Sequence, residues 1–259
     1  MKAIILAAGK GVRMGKYTQD VPKGMLSVNG KTLIEWQMQA LRRGGVESIV
    51  IGTGYQRETI PYEDVIYYHN PDFATTNMVE TLMCARPELD CDIIISYADI
   101  VYTAALVEQL AATEAPVAVA VDAAWREYWT LRFGSAEEDL ETLTVRDGRI
   151  VELGKEVSSS EGIDHRYIGL IKFSKEAWHD VLALYDAKKA EGAAWKQSGK
   201  DFRNGYMTDL LNELIENDLP VVPCVSEKQW MEFDTEQDYE TAMKHLKNHK
   251  IADVFTFDA

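Results

Sequence analysis

The chain has 259 residues, with 42 Asp and Glu against 27 Lys and Arg and a formal net charge of -15. Apolar residues make up 46% and charged residues 27%, the balance of a folded globular protein with a sizeable core, not of a disordered chain. So acidic a surface repels a nucleic-acid backbone or an anionic membrane, which excludes both as expected partners; any phosphate handled here must be met locally, by a few basic side chains, backbone N–H groups or a metal.

Ala3 to Ala7 is a short unbroken apolar run, as in a strand buried on both faces of a parallel sheet. A Gly-rich basic loop follows. Gly30-Lys31-Thr32 then opens an amphipathic helix whose Leu33, Ile34, Met38 and Leu41 recur at helical spacing up to a stop at Gly44-Gly45. Further strands are expected at 48–51, 65–68, 92–96 and 117–121, with helices over 77–86 and 104–111. This alternation predicts an α/β fold with a Rossmann-like, doubly wound, mostly parallel sheet. After that the pattern changes. Residues 140–151 read as a hairpin around Arg146-Asp147-Gly148-Arg149, 167–173 as a strand, and 175–191 and 207–217 as helices. The polar, Gly-bearing stretch 192–205 is expected to be a mobile loop, 219–225 a strand, and 236–247 a closing helix. We therefore expect one domain: a core over 1–121, a small inserted β-containing lobe over 122–205, and a return to the core over 206–259.

Three cysteines (Cys84, Cys91, Cys224) form no CxxC pair, and an odd number suits no simple disulfide framework. The five histidines lack the spacings of a zinc site. The apolar start breaks at Gly9-Lys10-Gly11, too early for a signal peptide, and no run approaches the ~18 apolar residues of a membrane span. A cytoplasmic protein is expected. The tail from Ile251 to Ala259, with Phe255 and Phe257, is expected either to pack back or to serve a homodimer contact.

The loop after the first strand, Leu6-Ala7-Ala8-Gly9-Lys10-Gly11-Val12-Arg13-Met14, lies where a doubly wound sheet places its ligand. Its glycines let backbone N–H groups face phosphate oxygens, and Lys10 and Arg13 can add charge-assisted bonds. Taken alone, it reads equally well as a tight turn with solvated basic residues. It is neither a Walker A loop nor a Rossmann GxGxxG. With Val21-Pro22-Lys23 and Gly30-Lys31-Thr32-Leu33-Ile34 in order behind it, however, the sequence resembles the nucleotidyltransferases of GT-A-like fold, and the one departure is Val12 where that family usually has Ser or Thr. The resemblance implies that the loop holds a nucleoside triphosphate. Lys23 would then reach the phosphoryl group under attack, with pyrophosphate as leaving group.

A triphosphate in an acidic protein calls for a divalent cation. Asp99, just past the buried strand at 93–97, and Asp234, in Trp230-Met231-Glu232-Phe233-Asp234-Thr235, stand where the family carries its metal-binding carboxylates, so Mg²⁺ is the implied cofactor. Each also reads as a structural cap, Asp99 at a strand end and Asp234 before a helix. The implied catalytic residues are Arg13, Lys23, Asp99 and Asp234. The implied nucleotide contacts add Leu6 to Gly11, Asn77 and Ala98.

Asn70-Pro71 and Thr75 to Leu82 are similar to the branch containing phosphocholine cytidylyltransferases, as are Asp122 to Arg132 and Tyr167 to Phe173. That branch implies CTP and a small phosphorylated or phosphonate acceptor of phosphocholine, aminoethylphosphonate or phosphoglutamine type. Lys155, in a loose match to a phosphate-contacting segment, Trp125, Trp129, Arg132, Tyr167, Asp209, Trp230 and Glu232 are the acceptor-side candidates. The tryptophans read equally well as core packing. Arg126 and Arg132 equally allow a carboxylate on the acceptor. A sugar-1-phosphate nucleotidyltransferase using UTP, dTTP or GTP, and an inactive nucleotide-binding regulatory subunit, are the competing readings.

Overall fold

The computed structural model describes residues 1–248 and 250–257, so His249, Asp258 and Ala259 lie outside the described residues. Strand β1 spans Lys2–Ala7, and two short strands, β2 (Ser27–Val28) and β3 (Lys31–Thr32), lead into helix α1 (Leu33–Arg43). Then come β4 (Ser48–Thr53), β5 (Ile66–His69), α2 (Met78–Cys84), β6 (Ile93–Tyr97), β7 (Ile100–Tyr102), α3 (Ala104–Ala112) and β8 (Val117–Asp122). The second half runs α4 (Trp125–Phe133), β9 (Glu141–Arg146), β10 (Arg149–Glu156), β11 (Arg166–Phe173), α5 (Ala177–Glu191), α6 (Met207–Glu216), β12 (Val221–Ser226), β13 (Trp230–Glu232) and α7 (Glu236–Lys247).

Seven strands form one sheet in the order β12-β8-β11-β6-β1-β4-β5, parallel except for β11, which is antiparallel to both neighbours. Side chains alternate across β1. Ala3, Ile5 and Ala7 enter a core shared with α1 and α3, while Ile4 and Leu6 enter one shared with α2, α5 and α6. Helices on both faces are why the strand is apolar at every position from Ala3 to Ala7. From β1 the chain runs outward to β4 and β5, then resumes at β6 on the other side of β1. The order therefore reverses between β1 and β6, and a crevice opens at their carboxyl ends between the two following loops.

Two expectations change, and a stretch left without an assigned element becomes a helix. Residues 122–205 do not form a separate lobe throughout, because β11 returns to the central sheet between β8 and β6. The stretch 125–133 is a helix, ended by Gly134 in the left-handed conformation (φ 79°). The 192–205 loop is pinned: Trp195 is fully buried, its indole N–H donates to Phe202 O at 2.9 Å, and its backbone N–H donates to Lys200 O at 2.8 Å. The tail packs back as far as it is described, with Phe255 buried and Phe257 against Trp36 at 4.7 Å. Among the described residues, no helix is long and apolar enough to cross a membrane.

Candidate active site

The loop after β1 is braced from within. Gly11 adopts φ 68°, and a Cβ there would lie 3.0 Å from Lys23 Cβ, so glycine both permits the turn and lets Lys23 pass close beneath it. Gly11 O accepts from Thr18 Oγ1 at 2.9 Å and from Met14 N at 2.9 Å.

A small ribbon brings the two candidate carboxylates together. Strands β7 and β13 pair antiparallel, with Ile100 opposite Glu232 and Tyr102 opposite Trp230, and Phe233 N donates to Asp99 O at 2.9 Å. Asp99, one residue before β7, and Asp234, two after β13, thus meet from distant parts of the chain. Lys23 Nζ lies 2.7 Å from Asp99 Oδ2 and 2.7 Å from Asp234 Oδ1, and Arg13 Nη2 lies 2.7 Å from the same Asp234 oxygen. Burial works against the charge on Lys23, but the two carboxylates outweigh it and hold its pKa above the ordinary lysine value.

Two cavities meet at this pair. The smaller, of about 220 Å³, takes its wall from the β1 loop and the start of α2: of the nucleotide-side candidates, Leu6, Ala7, Ala8, Gly9, Gly11, Arg13, Lys23, Asn77 and Ala98 all line it. Lys10 does not; its ammonium sits over the Tyr55 ring at 5.3 Å. Asn77 also caps α2 by accepting from Met78 N at 2.9 Å. The larger cavity, of about 890 Å³, shares Arg13, Met78, Tyr97, Asp99 and Asp234 with the first and extends over the β9–β10 hairpin and the start of α6.

Of the acceptor-side candidates, Lys155, Tyr167, Asp209 and Glu232 line the larger cavity. Tyr167 donates or accepts at 3.0 Å with Tyr97, whose ring would sit 2.7 Å from a Cβ at Gly169 (φ 76°), so that glycine fixes the wall. Asp209 is spent on structure: its carboxylate accepts from Ser198 N, Ser198 Oγ and Tyr206 N. Trp125, Trp129 and Trp230 correct the sequence expectation. They are at most 1% exposed, pack on one another, Trp125 edge to face on Trp129 and Trp230 tilted against it, and place their indole N–H groups on Ile163 O, Glu138 O and Asp122 Oδ2. They are core, because a stack of large rings beside a buried carboxylate gains more from burial than from lining a wet cleft. Arg132 is likewise buried, paired to Glu232 and to Asp238 at 2.7 Å, and lines neither cavity.

Sequence reading missed Phe73, Thr76 and Thr81 in the smaller cavity and Glu141, Arg166, Lys200 and Tyr206 in the larger. Glu141 stands on the β9 hairpin, and burial raises its pKa against the lowering effect of Arg166. Arg166 opens a mostly apolar strand, where a charged residue ordinarily marks a solvated edge, so nothing in its neighbours signals its burial.

A model of the MobA-like NTP transferase domain matches residues 3–197. The chain belongs to this family. Among relatives of this NTP transferase, the CTP:phosphoglutamine cytidylyltransferase of Campylobacter jejuni is 35% identical over 255 residues, covering 94% of this chain and 100% of that one. The 2-aminoethylphosphonate cytidylyltransferase of Lancefieldella rimae is 36% identical over 93 residues, 34% of this chain and 38% of that protein. A solved structure of CTP:phosphocholine cytidylyltransferase from Streptococcus pneumoniae shares the fold with a TM-score of 0.74 at 22% identity, covering 95% of this chain and 98% of that one. The doubly wound α/β sheet and the nucleotidyltransferase class expected from the sequence are thereby shown.

For a metal, the NTP transferase offers hard oxygen donors from Asp99 and Asp234, and no group of three or more His, Cys, Asp or Glu side chains suited to a metal occurs among the described residues. One or two carboxylates completed by phosphate oxygens and water is the manner in which Mg²⁺ is held, so the donor set fits.

Proposed function

We propose that this NTP transferase moves CMP from CTP to a small phosphorylated or phosphonate acceptor and releases pyrophosphate, with Mg²⁺ as cofactor. The observation that carries the reading is Lys23, held 2.7 Å from both Asp99 and Asp234 where two cavities meet. The smaller cavity suits a nucleotide, with Leu6 to Gly11, Arg13, Asn77 and Ala98 around it. The larger suits the acceptor, with Lys155, Tyr167 and Glu232 on its wall, so residues 122–205 serve chiefly the acceptor side and 1–121 the nucleotide.

An acceptor phosphate oxygen is already anionic near neutral pH, so no general base is needed; catalysis consists of positioning and charge neutralisation. The acceptor oxygen attacks the α-phosphorus in line and the bond to pyrophosphate breaks. Lys23 faces the charge that builds on the transferred phosphoryl group, while Arg13 and the Gly9–Gly11 backbone hold the departing pyrophosphate. Asp99 and Asp234 would hold Mg²⁺, which when bound neutralises triphosphate charge and polarises the phosphoryl oxygens. The cytidine and acceptor classes rest on the Campylobacter relative, matched along its whole length.

The test is pyrophosphate release from each NTP against phosphocholine, phosphoethanolamine, aminoethylphosphonate, phosphoglutamine and several sugar 1-phosphates, with and without EDTA. We expect turnover with CTP and a non-sugar acceptor, abolished by EDTA and restored by Mg²⁺. Turnover confined to sugar 1-phosphates overturns the acceptor class. Binding of CTP without turnover favours a regulatory role.

A further inference from the structure

Asp234 is tied down by a helix that touches neither cavity. Each backbone N–H from Glu232 to Thr235 has its acceptor. Glu232 N donates to Tyr128 Oη at 3.0 Å and Phe233 N to Asp99 O at 2.9 Å, while Asp234 N and Thr235 N share Asp238 Oδ2 at 3.2 and 2.8 Å. The Tyr128 hydroxyl also donates to Glu232 O at 2.8 Å. Arg132, one turn further along α4, pairs with the Glu232 carboxylate through Nη1 and with Asp238 Oδ2 at 2.7 Å through Nη2. Tyr128 and Arg132 thus hold residues on either side of Asp234, although no residue of α4 lines either cavity.

Packing alone does not call for this arrangement. The Arg132 side chain is 2% exposed, its Nε has no hydrogen-bond partner, and its guanidinium lies over the Trp129 and Phe133 rings at 5.0 and 4.5 Å. A charge buried in such a wall is expensive, and apolar residues of the same volume commonly hold a fold as well. Fixing one geometry among several is the best attested use of a buried ionic group. The geometry fixed here is that of residues 232–235. It matters most at Asp234, whose Oδ1 takes both Lys23 and Arg13 at 2.7 Å and must keep its place when those cations turn to a triphosphate. We propose that Tyr128 and Arg132 are positioning residues: by tying Glu232 and Asp238 to α4 they keep the Asp234 carboxylate beside Asp99, where the two together would hold Mg²⁺. The inference rests on the metal role proposed above for Asp234 and deepens it.

The test reads metal binding apart from turnover. Calorimetric titration of CTP without acceptor, in Mg²⁺ and in EDTA, gives the ratio of the two affinities for wild type, Tyr128→Phe, Arg132→Met and Arg132→Lys. The wild-type ratio should be about tenfold or more, and Tyr128→Phe and Arg132→Met should bring it below about threefold with the affinity in EDTA unchanged. Arg132→Lys, which keeps the charge but lacks the fork that reaches both carboxylates, should restore part of it. In steady state Tyr128→Phe and Arg132→Met should lower kcat by about tenfold or more and raise the half-saturating Mg²⁺, with the acceptor KM unchanged, since a small displacement of a reacting geometry is enough for such a loss. Thermal unfolding checks that the variants are folded; if Arg132→Met is not, Tyr128→Phe, which removes one hydroxyl, carries the test. A ratio that survives in folded Tyr128→Phe, with only the melting temperature lowered, overturns the proposal and leaves the transfer reaction standing. Loss of the ratio in the variants, with no turnover by the wild type, leaves α4 its role and overturns the transfer reaction. A wild-type ratio of one overturns the metal role and its positioning together.

Discussion

The Lys23 ammonium is shared by Asp99 and Asp234, and Arg13 joins Asp234 on the same oxygen. A triphosphate reaching Lys23 must therefore loosen these pairs, and it leaves two partly buried carboxylates in need of another cation. Nucleotide and divalent metal should accordingly bind together, with the affinity for CTP rising at least about tenfold in Mg²⁺ by calorimetry, a coupling of ordinary size. Asp99→Asn, Asp234→Asn and Lys23→Ala should each lower kcat by about 100-fold or more, the loss expected for one preorganised charge, while circular dichroism stays unchanged. These residues were legible because loop, lysine and carboxylates each occupy a strand end or a short motif. The tryptophans were not, because an aromatic beside an acidic residue has the same sequence signature in a core as in an amine pocket. Arg166 was hidden for the opposite reason, its burial being created by α4 and β9, which the residues around it do not announce.

Elements set the walls. The ribbon of β7 and β13 is only three residues long on each side, too short for strand periodicity to reveal, yet it puts Asp99 beside Asp234. Gly169 holds φ 76° within β11, and a side chain there would press on Tyr97. Gly169→Ala should cost at least about 1 kcal/mol in denaturant unfolding and disturb both cavities through Tyr97. At the other end of β1, Lys2 Nζ bonds Glu88 Oε2 and Asp90 Oδ1, both at 2.9 Å, and Tyr68 on β5 donates to Glu88 at 2.9 Å. The bond from Lys2, more than burial opposes it, holds the Glu88 pKa below its usual value. A depressed carboxylate contributes stability above its unfolded pKa and loses it as pH falls through the folded one. Glu88→Gln should thus be less stable than wild type at pH 7 by about 1–2 kcal/mol, with the difference fading below about pH 4.

For the whole molecule, the charge of -15 says less about partners than about where positive charge is gathered. Arg13 and Lys23 face the smaller cavity, Arg13, Lys155 and Arg166 the larger, and the β1–β6 reversal places them at one end of the sheet. That reversal was legible from strand–helix alternation alone. The return of β11 into the sheet was not, since an antiparallel strand buried on both faces reads the same as a parallel one. The most direct test of the central claim is pyrophosphate release from CTP with Mg²⁺ and a phosphorylated or phosphonate acceptor, measured for wild type and Asp234→Asn together. We predict one pyrophosphate per cytidylylated product, CDP-linked from a phosphate and CMP-linked from a phosphonate, in the wild type and a loss of about 100-fold or more in the variant. Undiminished release by folded Asp234→Asn would contradict the account.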